Sequence, residues 1–416
     1  MNDKGLLYLK QLFLLFLIFP LLLSASFSAK IIDAQTLKPV KAAKIIDQDH
    51  VVLSDSSGIF HIKPKNKKLH IKAYGYRPFS FETNTTATIF RLKPIKVKAL
   101  YLTFWGASNN SRTLKNIIKL VKETEVNAVI VDVKNEYGSI SFLTSFKEAN
   151  SYGAQKNRTN RNIQKFIKNM KDNNIYTIAR IVTFKDELQA SHNPEYALKL
   201  DSNGTIWRNH DKMAWVDPFD TRSHDYTIRI AEEAAKVGFD EINFDYIRFP
   251  AKVGLTFSKE NTQKNRVKAI EDFLDTATKR LEPYGVFISV DTYGNILWSK
   301  NDDNNIGQIL KSLASHSDYI APMLYPSGFA KGSFYFDYPA DHPYAVIYRS
   351  IHNIIERVDI SRVRPWLQYF KDYKSKRRHY ERFEVQEQIR ATEQLHTNGW
   401  MMWSPSSRYH KSYLTK

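Results

Sequence analysis

From residue 99 onward, apolar positions alternate between the two-residue period of strands and the 3.6-residue period of helices. Apolar residues at i, i+3 and i+4 predict helices over 114–123, 163–173, 226–237, 267–281 and 306–314. Between and around them, eight short apolar runs predict strands over 99–104, 128–133, 176–183, 241–249, 286–293, 319–325, 363–370 and 400–403. This order predicts an α/β fold, a (β/α)8 TIM barrel over 98–416. A doubly wound open sheet is the alternative, but no Gly-x-Gly-x-x-Gly turn follows any of these runs.

The segment 30–97 has a different pattern, of short β-rich runs broken by turn residues. Alternation over 51–53, 59–62 and 69–73, with the turn 55–58 between the first two, is typical of a small β-sandwich. We therefore expect an N-terminal β-sandwich domain ahead of the barrel.

Residues 1–29 have the composition of a secretory signal peptide. Charged residues precede an apolar run over 12–23, and small residues follow it, so cleavage is expected near 26–29. The run is shorter than the roughly 20 apolar residues of a membrane span, although an uncleaved anchor is the alternative. We therefore expect a periplasmic or secreted bacterial protein with no stable membrane span after cleavage.

Charge and cysteine content narrow the classes of partner. The 416 residues have a formal net charge of +18 and include no cysteine. This positive net charge favours an anionic partner such as an acidic polysaccharide or a membrane surface. Nucleic acid is not expected as a partner of an exported chain. Without cysteine, both a thiol nucleophile and lipid attachment at a lipoprotein cysteine are excluded.

Two predicted strands each carry an aspartate toward the carboxyl end, Asp245 and Asp291. Active-site residues of such barrels collect at the carboxyl ends of the strands, and neighbouring strands lie about 4.8 Å apart. Two carboxyl groups this close need different protonation, one ionised and one with a raised pKa. That arrangement suits cleavage of a glycosidic bond, and we predict that Asp245 and Asp291 are catalytic.

Side-chain parity along the strands places Asp132, Lys134 and Arg180 inside the barrel with the two aspartates. These three residues are predicted to contact substrate or to tune the acids, and a buried salt-bridge network is the alternative. Arg248 is a further candidate for substrate binding, although its parity points away from Asp245.

Aromatic residues recur at or just past the predicted strand ends, where sugar rings could stack on them. Core packing is the alternative role for each one. Gln368 is a candidate hydrogen-bonding group by the same positional argument. The pairs His210-Asp211 and His224-Asp225 lack metal-ligand spacing, so no metal and no cofactor are expected. The aromatic candidates are Trp105, Tyr246, Tyr293, Tyr325, Trp366 and Trp403.

Several blocks, in order, resemble the bacterial glycoside hydrolase domain family of TIM barrels that is distantly similar to α-amylases. They are 126–134, 175–182, 215–218, 238–250, 322–327 and 364–368. The resemblance implies a nucleophile-like Asp after the fourth strand and an acid after the fifth, which are Asp245 and Asp291. Segments 32–40, 54–60 and 73–76 resemble the carboxypeptidase regulatory-like (transthyretin-like) domain, which is normally an accessory domain.

The resulting hypothesis is an exported glycoside hydrolase that cleaves a poly- or oligosaccharide by a two-carboxylate, retaining mechanism. Asp245 would attack the anomeric carbon and Asp291 would protonate the leaving oxygen, or the two roles would be exchanged. The alternatives are a non-catalytic carbohydrate-binding or envelope-scaffold protein and a metal-dependent polysaccharide deacetylase.

Overall fold

The computed structural model describes residues 26–373 and 378–414. A small domain of two antiparallel-rich sheets precedes a closed eight-stranded parallel barrel surrounded by helices, which confirms the predicted fold class. The barrel's first strand begins at Val97, one residue before the predicted boundary.

The N-terminal domain packs two sheets around a core of its own. One sheet has the order β4-β1-β7 and the other β3-β2-β5-β6. Alternate residues such as Ile31, Ile45 and Phe60 point into the core, as the two-residue period predicts. Its strands are β1 (Phe27–Asp33), β2 (Lys44–Asp47), β3 (His50–Leu53), β4 (Ile59–Ile62), β5 (Lys68–Lys72), β6 (Phe79–Glu82) and β7 (Ile89–Leu92).

The barrel strands follow one another around the closed sheet in chain order. A short ribbon between β11 (Lys199–Leu200) and β13 (Leu255–Thr256) lies outside the barrel. The barrel strands are β8 (Val97–Leu102), β9 (Ala128–Lys134), β10 (Tyr176–Val182), β12 (Glu241–Asp245), β14 (Phe287–Tyr293), β15 (Tyr319–Met323), β16 (Trp366–Gln368) and β17 (Gly399–Trp403).

Helices cover the outside of the barrel, and polar side chains fix where they begin. Ser111, Asn162 and Thr262 each accept a hydrogen bond from a backbone N–H of the first turn. Gly238 ends the longest of the helices between β10 and β12 with a left-handed φ of 105°. The helices are Arg112–Glu123, Lys147–Ser151, Ile163–Asp172, Glu187–His192, Thr221–Val237, Gln263–Leu281, Leu310–His316, Pro343–His352 and Arg382–Gln394.

Two predicted strands exceed the observed ones by four residues or more. The fourth was expected over 241–249, but β12 ends at Asp245 because Tyr246 adopts a left-handed φ of 49°. The seventh was expected over 363–370, and β16 covers only Trp366–Gln368. Residues around a barrel mouth therefore depart from strand geometry sooner than the apolar pattern suggests.

The N-terminal domain closes the amino end of the barrel. Lys72 Nζ pairs with Asp318 Oδ2 at 2.8 Å and donates to the Val286 carbonyl at 3.1 Å. Gly75 N donates to the Tyr319 hydroxyl at 3.1 Å. Because these contacts involve the beginnings of β14 and β15, the carboxyl ends of the strands lie at the opposite end of the barrel.

The predicted signal peptide lies almost entirely outside the described residues. Strand β1 begins at Phe27, inside the expected cleavage interval, so cleavage before Phe27 would leave this strand whole. None of the helices in the described ranges is long and apolar enough to cross a bilayer.

A buried ion pair lies inside the barrel, near the amino ends of its strands. Arg364 Nη1 is 2.9 Å from both carboxylate oxygens of Glu241, and the Tyr176 hydroxyl donates to Glu241 Oε2 at 2.9 Å. Both charged side chains are almost fully buried. The pair ties the first residue of β12 to the segment that leads into β16.

Replacing Glu241→Leu is expected to lower the free energy of unfolding by about 3–5 kcal/mol, because the Arg364 guanidinium would remain buried without its partner. Glu387→Leu, which breaks an exposed pair with Arg390, should cost about 0–1 kcal/mol. Urea unfolding followed by tryptophan fluorescence measures both, and equal losses would contradict this interpretation.

Candidate active site

The two candidate acids lie at the carboxyl ends of adjacent barrel strands. Asp245 is the last residue of β12, and Asp291 is the fifth residue of β14. The register pairs Asn243 with Ser289 and Phe244 with Val290, so one further step brings Asp245 beside Asp291. Adjacent strands are about 4.8 Å apart, which places the two carboxyl groups in the same small region.

Arg180, on β10, binds three carboxylates with one guanidinium group. Its Nε and Nη2 donate to Asp245 Oδ2 at 2.9 and 2.5 Å. Its Nη1 donates to Asp132 Oδ1 at 2.7 Å, and Nη2 also reaches Glu136 Oε1 at 2.8 Å. Burial alone would lower the pKa of Arg180, but the three carboxylates outweigh it and raise this pKa well above its usual value.

Asp245 accepts hydrogen bonds from a guanidinium group and from a backbone N–H. Arg180 occupies Oδ2, and the backbone N–H of Tyr246 donates to Oδ1 at 2.6 Å. The left-handed backbone at Tyr246 makes this last bond possible, at a cost on the order of 1 kcal/mol. Asp245 is therefore the carboxyl group of the pair that has a charge-assisted hydrogen bond from a cation.

Asp291 lies in a different environment, since it forms no ion pair with a cation of the described residues. Oδ1 accepts from Asn243 Nδ2 and from the indole N–H of Trp366, both at 2.8 Å. The side chain is 2% exposed. Burial first, and then the negative charge of Asp245, raises the pKa of Asp291 well above its usual value. Asp291 is thus the carboxyl group of the pair that favours the protonated form.

Asp132 occupies the far side of Arg180. It accepts from the Tyr101 hydroxyl at 2.5 Å as well as from Arg180. Burial raises the pKa of Asp132 to about 6, although the charge of Arg180 opposes this. The salt-bridge network that the sequence left as an alternative is therefore present, and it includes one of the two candidate acids.

The predicted aromatic residues separate into buried and accessible groups. Trp366 is only 1% exposed and acts as a donor to Asp291, so it offers no stacking surface. Trp403 stacks on Tyr101 with centroids 3.9 Å apart, and the Arg180 guanidinium lies 5.2 Å from its ring. Trp105 is the most exposed of the candidates at 70%.

A cleft of about 150 Å³ lies at the carboxyl end of the barrel, and neither Asp245 nor Asp291 is among its lining residues. It is lined in part by Tyr293, two positions after Asp291, by Tyr325 and by Tyr373. Larger cavities, of about 440 and 480 Å³, lie at the amino end beside the N-terminal domain and include none of the candidate site residues.

Two predicted substrate-binding residues have all of their polar groups engaged within the protein. Lys134 is fully buried, pairs with Asp186 at 2.7 Å and donates to the Val182 carbonyl at 2.7 Å. A register shift on the β9–β10 pair, which skips Val133, takes Lys134 out of line with Asp132. Gln368, also fully buried, accepts from Ser327 and donates to the Phe370 carbonyl. We therefore assign Lys134 and Gln368 to the framework and not to a ligand surface.

The structure adds residues that the sequence did not single out. Glu136 lies in the loop after β9, and parity along a strand could not place it against Arg180. Tyr101 and Asn243 have the parity of their strands' interior residues, and this signal could have indicated both.

Metal-ligating side chains do not converge in the part of the chain that the structure describes, where no group of three or more His, Asp or Glu could hold a metal ion. His210 is exposed and pairs with Asp211, and His224 is buried against the Pro218 carbonyl. The deacetylase alternative receives no support from these residues.

The chain belongs to the family described as "Putative glycosyl hydrolase domain", which matches residues 99–409. Its fold is similar to that of the glycoside hydrolase domain of PgaB (BpsB) from Bordetella bronchiseptica, at 12% identity and a TM-score of 0.54, covering 77% of this chain and 99% of that one. A hypothetical protein from Ruminiclostridium thermocellum ATCC 27405 is 38% identical over 46% of this chain and 96% of its own, with a TM-score of 0.42. A search of curated proteins finds no match.

Asp245→Asn is expected to lower the pKa of Asp291, because the charge of Asp245 is one of the causes that raise it. Burial, the larger cause, remains in the variant, so the Asp291 pKa should still lie above the usual value. Carbon-13 NMR of labelled aspartate carboxyl groups, titrated in both proteins, measures the change. An unchanged Asp291 titration would show that the two groups do not interact.

Proposed function

We propose that this protein is a glycoside hydrolase that cleaves a poly- or oligosaccharide with Asp245 and Asp291 as its two catalytic carboxyl groups. The observation that supports this most directly is the opposite chemical environment of two neighbouring carboxyl groups at the carboxyl end of a barrel. Asp245 is paired with a guanidinium group, and Asp291 is buried and forms no ion pair within the described part of the chain.

These environments suit the two roles that glycosidic cleavage requires. A protonated Asp291 can give its proton to the leaving glycosidic oxygen as that bond breaks. An ionised Asp245 can add to the anomeric carbon and form a covalent glycosyl ester, and the deprotonated Asp291 then takes a proton from the water that hydrolyses it. The proton and the carboxylate are thereby both returned to their starting positions.

Asn243 holds the Asp291 carboxyl group in place. Its amide Nδ2 donates to Asp291 Oδ1 at 2.8 Å and to Ser289 Oγ at 3.1 Å.

The close spacing of the two strands favours the retaining course over the inverting one. Retaining enzymes hold their carboxyl groups about 5–5.5 Å apart, whereas inverting enzymes leave room for a water molecule at about 6.5–9.5 Å. Asp245 and Asp291 lie opposite each other on adjacent strands, and this spacing corresponds to the shorter separation.

The N-terminal sequence supports export to the periplasm or beyond, and we propose that the chain acts there. Cleavage before Phe27 would leave the whole of β1 in the N-terminal domain. Strand-forming residues begin directly after the small residues expected at a cleavage site.

Asp245→Asn and Asp291→Asn are each expected to lower the rate of hydrolysis at least a hundredfold on any polysaccharide that the unaltered protein cleaves. Each substitution removes a group that acts on the bond being broken. Asp172→Asn is the matched control, since Asp172 is an exposed helix residue paired with Lys168. Reducing-end assays across a polysaccharide panel measure the rates, with circular dichroism to check folding. Full activity in either site variant would overturn the assignment, and glycan binding without turnover by the unaltered protein would favour the binding-protein alternative.

The stereochemical course is a separate expectation. The first product released from a susceptible oligosaccharide should keep the anomeric configuration of the bond that was cut. Proton NMR of the anomeric region during the first minutes of hydrolysis shows this before mutarotation obscures it. An inverted first product would mean that a water molecule separates the two carboxyl groups.

A further inference from the structure

Arg248 is a half-buried cation beside the candidate acids. It follows the left-handed turn at Tyr246, and its guanidinium carbon lies 5.2 Å from the ring centres of both Tyr246 and Trp215. Its Nη1 donates to the Phe249 carbonyl at 3.1 Å. Within residues 26–373 and 378–414, no carboxylate lies within ion-pair distance of this guanidinium.

Other buried guanidinium groups of the barrel are neutralised by the protein itself. Arg180 binds Asp132 and Asp245, Arg266 binds Asp303, and Arg364 binds Glu241. A charge withdrawn from water without such a partner is costly, and it usually marks a position where a ligand provides the missing charge. Burial lowers the pKa of Arg248 accordingly, although Tyr246, Asp245 and Tyr293 act in the opposite direction.

Arg248 lies over the ring of Tyr246, the residue whose N–H donates to Asp245, and this contact places it near the candidate acids. Asp245 and Tyr293, which act on its charge, lie at the ends of β12 and β14, where the two candidate acids lie. A sugar ring held at those acids would therefore have a free guanidinium group beside it.

Lys185 is a second cation near Tyr246, but it has a carboxylate partner. Its Nζ lies 4.9 Å from the Tyr246 ring centre and pairs with Asp211 at 3.0 Å. Arg248 differs from Lys185 because it contacts two aromatic rings and one carbonyl and pairs with no carboxylate of the described residues. It is therefore the candidate for binding an anion.

We propose that Arg248 binds a carboxylate carried by the sugar ring at Asp245 and Asp291, so that the substrate is an acidic polysaccharide built from uronic acid residues. This inference rests on the proposed function and specifies its substrate class. The planar guanidinium matches the two oxygens of a carboxylate and can donate to both at once. The net charge of +18 would also attract a polyanionic chain.

The test compares acidic glycans with neutral partners of the same backbone. Oligosaccharides of polygalacturonate, alginate and hyaluronan, each beside its carboxyl-reduced form, are titrated into the full chain by calorimetry, and hydrolysis is followed by mass spectrometry. A sulfated oligosaccharide of carrageenan is included as an anion without a carboxylate.

At least one acidic oligosaccharide should bind roughly tenfold to a hundredfold more tightly than its reduced partner. Arg248→Gln should abolish this difference, and Arg248→Lys should keep part of it, because a lysine retains the charge without the planar fork. Arg77→Gln is the matched control and should leave the difference intact. Arg77 is also half-buried, donates to one backbone carbonyl and lies over a ring, but at the amino end of the barrel.

Equal binding of acidic and reduced partners, or no binding of any acidic oligosaccharide, would overturn the inference, as would binding of the sulfated glycan alone. Hydrolysis of neutral glycans with no acidic preference would leave the proposed function standing without it. Binding that depends on Arg248 but leads to no hydrolysis would instead support the anion site and refute the proposed function. Thermal unfolding of each variant separates loss of binding from loss of fold.

Discussion

The arrangement of the candidate site depends on one guanidinium group, that of Arg180. It binds carboxylates from β9, from the loop after β9 and from β12 at the same time. Because its donors are committed to Asp132, Glu136 and Asp245, none of its hydrogen bonds reaches Asp291. The result is a pair of neighbouring carboxyl groups of which only one has a cation. The raised pKa of Asp291 follows from its burial and from the neighbouring charge of Asp245.

Contacts at the amino end of the barrel hold these strands in place. The N-terminal domain covers the amino end through Lys72 and Gly75, and the Glu241–Arg364 pair fixes the start of β12 inside the barrel. At the other end of β12, Tyr246 adopts a left-handed conformation, and its backbone N–H donates a hydrogen bond to Asp245. A short strand is thus anchored at both ends, so that Asp245 has one well-defined position.

Sequence patterns could predict the eight strands, the barrel and the meeting of Asp132, Arg180 and Asp245, because strand order and parity determine those features. They could not predict the role of Lys134, since the register shift at Val133 breaks the parity on which its placement relied. Glu136 comes from a loop, where no periodicity applies. Arg248 follows a left-handed residue, which redirects the chain after Asp245, and a strand pattern over 241–249 could not indicate this.

The central claim is that the two neighbouring carboxyl groups share one proton and that Asp291 holds it. Neutron diffraction from crystals grown in heavy water near neutral pH would show the proton positions directly. The account predicts a deuterium atom on the Asp291 carboxyl group and none on Asp245. A deuterium atom on Asp245, or two ionised carboxylates, would contradict it.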